Sequence, residues 1–143
     1  MGNVSKFLKG NKAPKENATY AATKSLTDDN GEPLLWEIKP VTTKENERMR
    51  EDCTTEVQVP GKSGLYRQKL DTSKYIGKLL CASIVEPNLY DAELQDSYGV
   101  KTPEDLLMEM VDDPGEYAEF AKFIQGFNGF TSFDDEVNEA KNG

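Results

Sequence analysis

Residues 34–56 read LLWEIKPVTTKENERMREDCTTE, and the change of pattern inside this stretch decides the fold class. Up to Val41, apolar and charged residues alternate. Leu34, Trp36 and Ile38 share one face, while Glu37 and Lys39 take the other. Period two with one charged face predicts a half-buried strand. Thr42 with Glu45 three positions on forms a capping box, which opens a helix predicted over 43–56. Only Met49, Cys53 and Val57 are apolar enough to dock that helix, so its contact is expected to be narrow. A strand passing through a cap straight into a helix predicts an α+β protein.

On the N-terminal side, 20–26 is a weaker strand and TDDNGEP (27–33) is dense in turn formers. Together with 34–41 they predict a β-hairpin over 19–41. Two strands alone are marginal in water, so the hairpin has to lean on helices or join another sheet. The preceding residues, 1–18, read as a mobile N-terminal segment. Its first ten positions form a short amphipathic turn with Val4, Phe7 and Leu8, ended by Gly10, and 11–18 (NKAPKENA) has no periodicity.

On the C-terminal side, 42–143 reads as a helical body. Pro60, Gly61 and Gly64 interrupt 57–70 (VQVPGKSGLYRQKL), which is expected to be a flexible excursion. Asp71 caps the strongest apolar pattern, a helix predicted over 72–85 with Tyr75, Ile76, Leu79, Leu80 and Ile84 at helical spacing. Asp91 starts a short helix stopped by Gly99, and helices are predicted over 103–111 and 115–126. A last amphipathic piece spans 133–141. The chain is thus expected to be one domain, 1–143, with a small N-terminal β-hairpin packed on a mainly helical C-terminal body.

Composition narrows the chemistry. The 143 residues contain no histidine, which excludes imidazole bases, Ser-His-Asp and Cys-His nucleophile systems and imidazole-ligated metals. Cys53 and Cys81 lack metal-ligand spacing and read as reduced packing residues. Gly61-Lys62-Ser63 resembles the end of a phosphate loop, but Glu56 stands where that loop needs its first glycine. Asp28, Asn30, Gly31 and Glu37 match positions of a calcium loop whose first ligand would be Leu26, which has no side-chain oxygen. Turn chemistry explains both. The carboxylate pairs Asp112–Asp113 and Asp134–Asp135 sit at helix starts, where capping accounts for them. No catalytic, cofactor-binding or metal residues are assigned, and the chain is expected not to be an enzyme.

Apolar runs fall short of the roughly 20 residues of a membrane span, and the start, MGNVSKFLKG, lacks a secretory core. A cytoplasmic protein is therefore expected. The net charge of −9 is unevenly placed: 91–143 carries 3 basic against 14 acidic residues. Such a half repels phosphate, so nucleic acid is not an expected partner. The acidity serves either as a solvated helical surface or as a face for a basic partner. Five of six Phe lie at 120, 123, 127, 130 and 133. Phe120 and Phe123 read as core. Phe127, Phe130 and Phe133 lie among Gly126 and Gly129, which loosen the backbone, and they are the candidate partner-binding residues. Closing the C-terminal helices onto the core is the other use open to them.

The strand LLWEIKP, the helix KENERMREDCT, the loop PGKSG, the helix DTSKYIGKLLCASIVEPNL, the phrase ELQDSYGV (93–100) and PGEYAEF (114–120) occur in this order. Together they resemble the XkdN-type tail assembly chaperones of contractile-tailed phages and phage-derived tail particles, over roughly residues 1–142. The resemblance implies a non-enzymatic protein of the bacterial host cytoplasm. It implies binding of the tape measure protein, which is kept soluble while the tail tube assembles around it. The tail tube protein and a second copy of the chain are further candidate partners. Two alternatives stay open: a minor structural subunit of the tail particle, and an acidic nucleic-acid mimic that inhibits a host protein.

Overall fold

The computed structural model describes residues 3–130, and its architecture is α+β. After two short 3-10 turns at Asn3–Phe7 and Lys9–Asn11, strand β1 (Ala18–Tyr20) pairs antiparallel with β2 (Trp36–Ile38), in the register Tyr20↔Trp36 and Ala18↔Ile38. Period two in the sequence becomes geometry here: Trp36 and Ile38 are fully buried and Glu37 faces the other way. The strands are shorter than their pattern. Leu34, expected on the buried face, is 41% exposed, because 21–35 leaves the sheet as a long loop. The tip of that loop closes through Asp28 Oδ1, which accepts the amides of Asn30 (2.8 Å) and Glu32 (3.0 Å).

The capping box forms as the residue types require. Thr42 Oγ1 accepts the Glu45 amide at 3.1 Å, and Glu45 Oε1 accepts the Thr42 amide at 2.9 Å. Helix α1 (Thr43–Asp52) stops four residues short of the expected 56, because Thr54 and Thr55 enter a strand instead. β-Branched side chains lose little in extended backbone and more in a helix. The stretch expected as a flexible excursion is a second hairpin. In it β3 (Thr54–Gln58) pairs with β4 (Tyr66–Leu70) in unbroken register, around Pro60, Gly61 and Gly64.

Helix α2 (Thr72–Ser83) buries Tyr75, Leu79, Leu80 and Cys81. Its apolar pattern runs on through Ile84, yet Ile84–Glu86 is a strand, β5, on the free edge of β2. The three-stranded order β1-β2-β5 thereby completes the sheet that the N-terminal hairpin lacked. Helices α3 (Ala92–Ser97), α4 (Pro103–Met110) and α5 (Pro114–Phe127) follow. Among the described residues all five α-helices begin at a Thr or Asp whose side chain accepts an amide of the first turn. The core lies between the sheet face of Trp36 and Ile38 and helices α2, α4 and α5, with Leu106, Leu107, Phe120 and Ile124 fully buried. Both cysteines are free thiols inside it. The amphipathic piece expected at 133–141 lies outside the described residues.

Candidate functional site

The rings of α5 do not all face the same way. Phe120 stands edge-on to Trp36, with centroids 5.8 Å apart, and lies parallel to Tyr20 at 5.4 Å. Tyr20 in turn stacks on Phe123 at 4.3 Å, and Phe123 stacks on Phe127 at 5.9 Å. A ladder of rings therefore runs from the centre of the core to the last residue of α5. Its N-terminal side is held by Glu116, which accepts Thr23 Oγ1–H (2.7 Å) and the Lys24 amide (2.8 Å). Those hydrogen bonds, the Thr23 hydroxyl foremost, hold the Glu116 carboxyl below the usual carboxylate range. This gives PGEYAEF a physical content: Pro and Gly open the helix, Glu116 ties down the segment after β1, and Phe120 fills the core.

The end of α5 is closed, where its glycines suggest a loose joint. Gly126 is inside the helix. Gly129, at φ +81°, is the left-handed residue of a Schellman stop: its amide donates to Gly126 O (3.0 Å) and the Phe130 amide donates to Gln125 O (2.8 Å). Asn128 adds two bonds. Its Nδ2 donates to Ile124 O (2.9 Å), and its Oδ1 accepts the Val41 amide (2.9 Å). ELQDSYGV ends α3 in the same way, with Gly99 at φ +70°, the Gly99 amide on Asp96 O and the Val100 amide on Gln95 O.

The three candidate residues thus part company. Phe127 is half-buried against the core, Phe130 is 37% exposed just past the Schellman stop, and Phe133 lies outside the described residues. The Val41–Asn128 bond ties the cap of α5 to one wall of a groove of about 500 Å³. Ala13, Pro14, Pro40 and Val41 give it apolar walls, and Lys9, Lys12 and Lys15 give it charge. The adjoining first 3-10 turn and the residue after it carry Val4, Phe7 and Leu8 in solvent. Their amphipathic pattern was legible; that it faces solvent rather than the core was not. Among the described residues no cluster of three or more Asp, Glu or Cys could hold a metal ion, and no helix is long and apolar enough to cross a membrane.

Residues 4–141 match the family described as phage XkdN-like tail assembly chaperone proteins. The chain belongs to that family. Among its relatives is the phage-like element PBSX protein XkdN of Bacillus subtilis (strain 168), 24% identical over 116 residues, which are 81% of this chain and 77% of that protein. The uncharacterized protein YqbN of the same organism is 23% identical over 81% of this chain and 76% of its own. The crystal structure of YqbN superposes with a TM-score of 0.76 over 92% of this chain and 99% of that one, at 21% identity, which shows a shared fold. The family's role is chaperoning in phage tail assembly, and it proceeds through protein partners.

Proposed function

We propose that this tail assembly chaperone acts in the cytoplasm of the bacterial host, where it binds the tape measure protein, keeps it soluble and assists assembly of the tail tube around it. The observation that carries the reading is the surface at the end of α5. There Phe130 is exposed on a rigidly capped helix end, and the Asn128–Val41 bond joins that end to the wall of an apolar groove set with lysines. A tape measure is a long, largely helical chain, and its apolar stripes aggregate when uncovered. An amphipathic helix lays such a stripe into a groove of this kind, and lysines at the groove take the acidic residues flanking it. Phe127, Phe130 and Phe133 are the proposed contact residues, with Phe127 anchored from behind by the stack on Phe123.

The test is co-expression of the chain with the tape measure protein of its own phage or prophage. Soluble tape measure protein, retained by the tagged chaperone, is the expected result. Tape measure protein that stays insoluble, or dissolves without being retained, contradicts the proposal. A minor structural subunit of the tail is the competing reading, and purified particles that contain the chain at fixed stoichiometry would favour it.

A further inference from the structure

The β3–β4 hairpin lies at the other end of α1 from the groove, and it makes little use of its own surface. Residues 61–69 are all exposed, with Leu65 at 53% and Tyr66 at 61%. A two-stranded ribbon has two open edges, and by itself it is marginally stable in water. Its charge is mainly of one sign: Lys62, Arg67 and Lys69 stand against one carboxylate, Glu56, which faces Gln68 across the ribbon at 3.5 Å. The chain also carries the opposite surface. Residues 91–130 hold ten carboxylates against Lys101 and Lys122. On α4 an exposed methionine, Met108 (53%), is surrounded by them: Asp105 and Glu109 are exposed on the same helix and Asp112 follows it.

We propose that the β3–β4 hairpin of one copy docks on the acidic α4 face of a second copy. Leu65, on the same ribbon face as Arg67 and Lys69, covers Met108, and Arg67 and Lys69 meet Asp105, Glu109 and Asp112. The occupant follows from charge complementarity within one sequence: the basic, apolar-tipped arm and the acidic face with an apolar centre are present in equal number at every concentration. The contact is heterologous: the copy that gives its arm keeps a free face and its partner keeps a free arm, so association continues into rings or open chains. It leaves the α5 end and the lysine groove uncovered, and its test does not depend on the tape measure reading.

Sedimentation velocity of the full chain reads the proposal directly. At about 0.05 M salt the chain is expected to associate as its concentration rises to about 200 μM, and about 0.5 M salt should weaken that association at least ~10-fold, because exposed charges are then screened over only a few ångströms. Arg67→Glu with Lys69→Glu should be monomeric, and so should Asp105→Lys with Glu109→Lys. A mixture of these two variants should associate again, since each arm then meets a face of opposite charge. If a charge variant melts early, Leu65→Ser takes its place and should weaken association with an unchanged melt. A chain monomeric at about 200 μM overturns the proposal and leaves the arm for a different acidic protein. Association that survives both charge variants, or a mixture that fails to restore it, overturns it as well.

Discussion

The backbone amide of Val41 donates to the side-chain oxygen of Asn128 at 2.9 Å, joining the turn between β2 and α1 to the cap of α5 across 87 positions of sequence. The same side chain donates to Ile124 O at 2.9 Å, so one Asn both ends a helix and fixes where that end lies against the sheet. The groove wall at Pro40 and Val41 and the exposed ring of Phe130 owe their relative placement to it.

Replacing Asn128 by Leu removes both bonds and leaves the half-buried Val41 amide without a partner. The expected loss is about 1–3 kcal/mol of unfolding free energy, the net worth of two hydrogen bonds at about 0.5–1.5 kcal/mol each. Urea denaturation of the variant beside the wild type measures it.

The two glycines near the end of α5 should respond in opposite directions to alanine. Gly129 sits at φ +81°, where a Cβ is strained, so Gly129→Ala is expected to cost about 1–2 kcal/mol. Gly126 is helical with no atom within 4 Å of a Cβ, so Gly126→Ala should stabilise by about 0.5–1 kcal/mol. Thermal melts of the pair decide between a capped end and a loose joint; a joint would make both changes nearly silent.

Leu79 and Leu80 are both fully buried on α2. Truncation of either to Ala is expected to cost about 2–5 kcal/mol, the usual range for a leucine lost from a packed core. Equilibrium unfolding of the two variants provides the check.

Burial, assisted by Glu104, pushes the Cys81 thiol up to about 12. A raised folded-state pKa favours the protonated thiol. Its contribution to stability is therefore complete below the ordinary thiol value of about 8.5 and falls as pH rises from there towards 12. Cys81→Ala should accordingly lose stability less steeply between pH of about 8 and 10 than the wild type does. Parallel slopes would show that the thiol is not held in a low-dielectric site.

The sequence was legible wherever one local signal sufficed. Thr42 and Glu45 named a capping box, Asp71, Asp91 and Thr102 named helix starts, and Trp36 and Ile38 named the buried face of a strand. It was not legible where the partner is distant. Ile84–Glu86 continues a helical apolar pattern, and it becomes a strand because the outer edge of β2, some 46 positions earlier, needs a neighbour. The β3–β4 hairpin was hidden by Pro60, Gly61 and Gly64. The β-branched run at 54–59 and the short run before Asp71 are the signal that marks strands on both sides of such a turn. At the candidate site the same division holds. Phe120 and Phe123 were readable as core from spacing, whereas the rigidity around Phe130 depends on Val41, which only the fold brings to Asn128.

Capture of the tape measure protein by the Phe130→Ser variant, measured by pull-down beside a thermal melt, separates a binding ring from a packing ring. Phe130 is 37% exposed and its backbone amide, which the change keeps, holds the Schellman stop. Capture should weaken while the melting temperature stays within about a degree or two of the wild type, as for a substitution outside the core. Capture as strong as that of the wild type at unchanged stability would contradict a binding role for Phe130.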